Sequence, residues 1–210
     1  SRLLYEFEKV LEGSPDAADT FRARGAAELQ SAPYALLRSL FTFRFQIQDN
    51  DPADIARDKL VAGLQQALGH DEHGEMQAHF IGHLLGFDFA DSAHLRGVLD
   101  DAQQVRDRAL IYLGAFAEAA TAGGPLVMLL EDLHWADDSS LAAIERMIAA
   151  ILHRPVLVLG LARPTVFERW GGWQFDDTAH TRIDLTPLSG ADSATLLGEI
   201  LARVDDVPET

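Results

Sequence analysis

The sequence predicts an α/β fold, a parallel sheet flanked by helices, with a large helical insertion between two of the strands. Three observations carry this. Residues 126–130 (Leu-Val-Met-Leu-Leu) run without a polar interruption after Gly123, Gly124 and Pro125, and a run that short and that apolar reads as a strand buried on both faces. A second apolar run, 155–161, follows after one amphipathic stretch of helical length. Strand, helix and strand at this spacing form a right-handed crossover. Finally, the first run leads straight into Glu131 and Asp132, and open α/β sheets bind ligands in the crevice outside the carboxyl ends of their strands.

Taken in order, residues 1–11 form an amphipathic helix, followed by a loop around Gly13, Ser14, Pro15 and Asp16. Residues 20–26 alternate enough to be the first strand. Pro33 opens a helix through Leu36, Leu37, Leu40 and Phe41, since proline suits the first turn. Asp51 and Pro52 start another, with Ile55, Leu60, Leu64 and Leu68 at helical spacing. Residues 80–85 and 95–122 give further helices, the last with Val98, Val105, Leu110, Leu113 and Phe116 inward. The block 33–122 is longer than a simple crossover needs. It reads as an insertion, the natural place for partner or sensor specificity.

After the strand at 126–131 comes a helix at 139–152, in which Leu141, Ile144, Met147, Ile148 and Ile151 make one apolar stripe. The strand at 155–161 ends in Ala162, Arg163 and Pro164. Trp170, Gly171, Gly172 and Trp173 are a turn-rich loop, residues 181–185 read as a last strand, and a helix runs from Asp192 to about Val204. Asp137 or Asp138 caps the helix that begins near Ser139, because a side-chain oxygen there satisfies free backbone N–H groups. Residues 1–186 form the core and 187–210 a second piece.

Composition excludes several classes. The 210 residues fit one domain with a small appended piece, and 48% hydrophobic content supplies a sizeable core. With no cysteine there is no disulfide, thiol-zinc or redox chemistry. No stretch approaches a membrane span and no leader is visible, so a cytoplasmic protein is expected. Seventeen basic residues against 33 acidic give a net charge of −16, with lysine only at Lys9 and Lys59. Such a surface repels nucleic-acid phosphate. Direct nucleic-acid contact by this chain is not expected.

The passage Pro125 to Asp138 (PLVMLLEDLHWADD) closely resembles the Walker B signature of STAND-type signal-transduction ATPases, relatives of the AAA+ class. In these P-loop nucleotide hydrolases the strand ends in two acids, one of which holds Mg²⁺ while a neighbour helps to position water. Glu131 stands where Asp is commoner, which keeps the charge and lengthens the arm. Glu131 and Asp132 therefore share the implied catalytic and Mg²⁺-binding roles, with the choice between them open. His134 and Trp135 are read as packing residues. Ser1-Arg2-Leu3-Leu4 resembles the family's passage from the phosphate loop into a helix. Ser1 then stands as the last residue of a Walker A motif, a ligand of Mg²⁺ and nucleotide, whose glycines and lysine lie upstream of this chain. The alternative is an arbitrary first residue. Arg163 falls at the family's sensor position, where a planar guanidinium donates to two phosphate oxygens at once; alternatively it is an ordinary surface arginine. Pro187-Leu188-Ser189 resembles the entry to the family's helical lid.

The resemblance implies ATP and Mg²⁺ as cofactors, an ATPase only in the full-length protein, and a switch module of a bacterial multidomain regulator. Its partners would be output domains of the same polypeptide, with nucleotide-dependent oligomers compatible. A regulatory scaffold that binds without turnover is the alternative. Two other constellations offer competing chemistry. His79 and His83, in a region that also holds His70 and His73, share a helical face and could ligate zinc, but HExxH is absent and Ile81, Leu84 and Leu85 favour a packed helix. Ser139 or Ser140 near His134 could suggest a hydrolase, but no Gly-x-Ser-x-Gly elbow occurs and capping explains both serines.

Overall fold

The computed structural model describes residues 2–13, 18–170 and 180–201. The chain divides into two compact units, 1–174 and 175–210. In the first, strands β1 (Asp19–Arg24), β2 (Leu126–Glu131) and β3 (Val156–Gly160) form a parallel sheet in the order β1-β2-β3. Asp19 pairs with Leu126 and Arg24 with Glu131 at the two ends of the first ladder; Leu126 pairs with Val156 and Leu130 with Gly160 in the second. All six residues of β2 are buried, as the unbroken apolar run requires, and Glu131 is buried with them. In β3, with one lateral neighbour among the described residues, Leu157 is half-exposed.

Side chains alternate across a strand, and the two faces are covered differently. Helix α1 (Arg2–Glu12) sets Leu4, fully buried, against Val127 and Leu129, with Phe7, Leu11 and Leu159 around them. Phe21 of β1 instead meets Phe41 and Phe116 edge-on, with ring centroids 6.3 and 6.0 Å apart. Those rings belong to α2 (Ala35–Arg44) and α5 (Ala102–Ala120). Helices α3 (Ala53–Leu68) and α4 (Glu72–Leu84) pack on each other and on α5, and α6 (Asp138–Ile151) packs on α2 and α5. The predicted stripe of α6, from Leu141 to Ile151, is buried throughout.

Several expectations need correction. Ile55 is 42% exposed, because α3 begins at Ala53 and turns Ala56, Leu60, Gly63 and Leu64 inward instead. Helix α4 starts at Glu72, not near 80, because the Asp71 carboxylate caps it by accepting from the Gly74 N–H at 2.8 Å. Helix α5 starts at Ala102, not near 95, where Asp101 accepts from the Gln104 N–H at 3.0 Å; residues 91–100 form turns, although Leu95 is buried. The short helix α7 (Val166–Arg169) has no sequence forecast.

In the second unit, residues 181–185 form no strand. Ile183 and Leu185 are exposed, and alternation without a ladder partner leaves the backbone groups of a strand unsatisfied. Helix α8 (Gly190–Leu201) begins two residues before the predicted Asp192. The Ser189 hydroxyl accepts from the Asp192 N–H at 3.1 Å and donates to its carboxylate at 2.6 Å. The loop at Gly171, Gly172 and Trp173 lies outside the described residues, as does the predicted helix end beyond Leu201.

Candidate functional site at the strand ends

Parallel strands bring their carboxyl ends to one edge, so Arg24, Glu131 and Gly160 finish side by side. Glu131 is buried; the Arg22 guanidinium donates to its Oε1 at 2.9 Å and to Glu8 Oε1 of α1 at 2.7 Å. Burial pushes the Glu131 carboxyl up, but the cationic groups around it, Arg22 among them, pull it down by more, and it lies below the usual carboxylate value. The exposed Arg24 Nε donates to Asp132 Oδ2 at 2.7 Å. That hydrogen bond and the Asp132 charge hold the Arg24 guanidinium above its ordinary value. Of the two acids, Asp132 is the more accessible, its side chain 34% exposed against 9% for Glu131.

Asp132 leaves the strand in the left-handed region, at φ 53° and ψ 39°. Asp and Asn enter that region more readily than other side chains, and the turn sends the chain into a 3₁₀ segment, Leu133–Trp135. The exits of the strands are tied together. The Gly25 N–H donates to the Glu131 carbonyl at 2.9 Å, and the Leu133 N–H to the Leu161 carbonyl at 3.0 Å. A β-carbon at Gly25 would stand 2.5 Å from the Asp132 carbonyl oxygen, so only glycine lets β1 end this close to the Asp132 turn. Sequence reading missed Gly25; a glycine closing an alternating run was the signal available.

His134 is buried beside Trp135, with ring centroids 5.0 Å apart. Its Nδ1 accepts, at a long 3.4 Å, from the Arg163 N–H, while Nε2 has no hydrogen-bond partner among the described residues. Burial depresses the imidazole; Asp132 opposes this and Arg163 adds to it. His134 thus holds the backbone that carries Arg163, a link beyond simple packing. Trp135, read as a packing residue, is 37% exposed. The Arg163 side chain is exposed at the same edge as the two acids, and its carbonyl accepts from the Val166 N–H at 3.0 Å.

Between the two capping candidates, the structure selects Asp137. Its carboxylate accepts from the Ser140 N–H at 2.8 Å, and also from Tyr34 N–H at 2.8 Å and Leu36 N–H at 3.2 Å across the fold. Asp138 instead pairs with Arg169 at 3.2 Å. The Ser140 hydroxyl accepts from the Leu37 N–H at 2.9 Å in a buried setting, a structural use that leaves the hydrolase reading without its nucleophile there. Ser1 lies outside the described residues. His83 does not join His79; His94 does.

The site therefore offers two carboxylates, two exposed guanidiniums and a neutral imidazole on one sheet edge. Hard oxygen donors of this kind suit Mg²⁺, and exposed arginines suit phosphate oxygens. Clefts of about 450 and 560 Å³ lie in the helical block rather than at this edge.

No protein-family model matches the chain. It is similar to an uncharacterized protein of Rhizobium meliloti (strain 1021), 32% identical over 89 residues, which is 42% of this chain and 8% of that protein. The chain thus spans a small fraction of that relative's length. No solved structure matches. Among the described residues no helix is long and apolar enough to cross a membrane.

Proposed function

We propose that this chain is the nucleotide-binding switch module of a multidomain signal-transduction protein, an ATPase in its full-length context, with Mg-ATP held at the end of β2. The observation that carries the reading is the pair Glu131 and Asp132 at the carboxyl end of the buried central strand. Asp132, the more accessible acid, would hold Mg²⁺. Glu131, fixed by Arg22, would orient water. Arg163 would meet the terminal phosphate, and Ser1 would add a hydroxyl ligand to the metal. Bound Mg-ATP supplies the phosphoryl group, and catalysis of its transfer rests on positioning and charge stabilisation. The helix at 190–201 would belong to a lid whose packing follows the nucleotide state.

A second reading, a regulatory scaffold of the same fold without turnover, is favoured by one observation. Both acids already carry arginine partners, Arg22 on Glu131 and Arg24 on Asp132, and Mg²⁺ would have to displace or share them.

Calorimetric titration of Mg-ATP into this chain, and into a form extended upstream of Ser1, tests both. The switch reading expects binding by the extended form, and turnover lost in Glu131→Gln or Asp132→Asn while ATP still binds. Binding by neither form overturns it. Binding with turnover absent in the unsubstituted protein leaves the scaffold.

A further inference from the structure

The helical block holds a second cluster, unrelated to the strand ends. Glu75 and His79 are four apart on α4, hence on one face of the helix. The turns after α4 bring His94 against them. Glu75 Oε1 lies 3.8 Å from His79 Nε2 and 3.9 Å from His94 Nε2. One ligand atom from each residue falls within 4.8 Å of the other two. We propose that Glu75, His79 and His94 form a Zn²⁺ site.

The donor set is two imidazole nitrogens and one carboxylate oxygen, a combination that suits zinc with a further position for water. Zinc bonds of about 2.0–2.2 Å in tetrahedral geometry place ligand atoms roughly 3.3–3.6 Å apart. Closing the two carboxylate–imidazole spacings takes a few tenths of an ångström, which Glu75, about half-exposed, is free to supply, and the imidazole nitrogens of His79 and His94, within 4.8 Å of each other, draw together on the ion. The His79 ring is held on its far side, and His94 is held through its backbone. His79 Nδ1 shares a 2.8 Å hydrogen bond with the buried Ser92 hydroxyl oxygen, which also accepts from the His94 N–H at 3.2 Å. With Nδ1–H donating to Ser92, the Nε2 lone pair faces Glu75 and His94, the arrangement in which ligating histidines are usually fixed. Phe89 packs against the His79 ring, with centroids 4.7 Å apart and the planes tilted by 44°.

The surroundings accept a cation. Burial first, and His94 next, hold the His79 imidazole below its ordinary value, in the neutral form that ligates. The Arg57 guanidinium, which also lines the cleft, is paired with Asp91 at 3.2 Å. Glu75 and His79 line the cleft of about 450 Å³, which gives the ion a route in and room for a water ligand. His73 on the same helix is exposed and stands outside the cluster.

The test is a competition titration of Zn²⁺ against a chromophoric chelator with the whole 210-residue chain, backed by Co²⁺ substitution. The expected result is one Zn²⁺ per chain, with affinity lowered roughly tenfold or more by Glu75→Gln and by His94→Gln, and unchanged by His73→Gln. Glu75→Gln changes a half-exposed side chain, so its loss of binding reads ligation and not folding. The Co²⁺-loaded chain should show visible bands of four- or five-coordinate metal that vanish in His94→Gln. Absence of stoichiometric binding, equal loss in His73→Gln, or a Co²⁺ spectrum like that of the hydrated ion overturns the site.

Discussion

Arg22 of β1 donates to Glu131 of β2 at 2.9 Å while the same guanidinium donates to Glu8 of α1 at 2.7 Å. One cation thus joins two strands and the helix that covers them. In the ladder Arg22 stands opposite Leu129, not Glu131, so its arm reaches one alternation toward the strand ends. The candidate site is therefore braced from its own sheet face.

Replacing Arg22 with Ala removes a partner of a buried acid, and the expected cost is about 1–3 kcal/mol in urea denaturation. The loss should depend on pH. Glu131 titrates below its ordinary value of 4.5 in the folded chain, so its contribution is complete above that value and is lost as pH falls through the folded one. The stability difference between the unsubstituted chain and Arg22→Ala should narrow on acidification below about pH 5. A difference that stays constant to pH 3 would show that this ion pair contributes nothing.

Asp132 occupies the left-handed region at φ 53°, where Asn and Gly are comfortable and β-branched residues are not. Asp132→Asn should leave the melting temperature nearly unchanged, whereas Asp132→Val should lower stability by about 1–3 kcal/mol. The contrast matters for function, because it makes Asp132→Asn a change of charge with the turn preserved. Equal melting behaviour of the two variants would deny the strain.

Gly25→Ala places a β-carbon where the Asp132 carbonyl oxygen would be 2.5 Å away and the Ala136 nitrogen 3.2 Å away. Both neighbours are backbone, so the strand ends must separate. A loss of roughly 1–3 kcal/mol is expected, together with faster amide exchange at position 25 and at Leu133. Unchanged exchange at both amides would contradict a close approach.

The parallel sheet was legible because the run 126–130 is continuous and the stripe of α6 is regular, and both depend on local pattern alone. Helix starts were less legible. Asp71 and Asp101 cap α4 and α5 through side-chain hydrogen bonds, yet apolar spacing pulled the reading toward Phe80 and Leu95. The strand expected at 181–185 failed because alternation specifies a face, not a partner. At the site, Glu131, Asp132 and Arg163 share an edge as read, since strand ends gather by topology. Arg22, Arg24 and Gly25 were missed, because cross-strand partners are fixed by register, which is invisible before strand order is known. His94 was missed for the same reason: it meets His79 through turns rather than helical spacing.

Asp137 accepts from three backbone N–H groups, at Ser140, Tyr34 and Leu36. It is both the cap of α6 and the clamp on the start of α2. Asp137→Ala should cost more than an ordinary cap, about 2–4 kcal/mol, because two further N–H groups lose their acceptor. Ser140→Ala, which removes the acceptor of Leu37 alone, should cost less. The order is read from denaturation midpoints of the two variants, and reversal would remove Asp137 from its clamping role.

His134 carries the last prediction. Its Nδ1 accepts from the Arg163 N–H, which requires an unprotonated Nδ1, and its Nε2 has no hydrogen-bond partner among the described residues. Burial, reinforced by Arg163 and opposed by Asp132, holds the imidazole below its ordinary value of 6.5. As pH falls below that value the unfolded chain takes up the proton first, so stability drops until the folded value is passed and then levels. His134→Phe keeps a ring and cannot titrate. The fall in melting temperature between pH 7 and about pH 5 should be smaller in this variant than in the unsubstituted chain. His79 is depressed by burial as well, but it is present in both proteins and cancels in the difference. Equal falls would mean that His134 is not kept neutral. A smaller fall in the variant would show that the folded chain keeps the buried His134 imidazole neutral, the form in which its Nδ1 can accept from the Arg163 N–H.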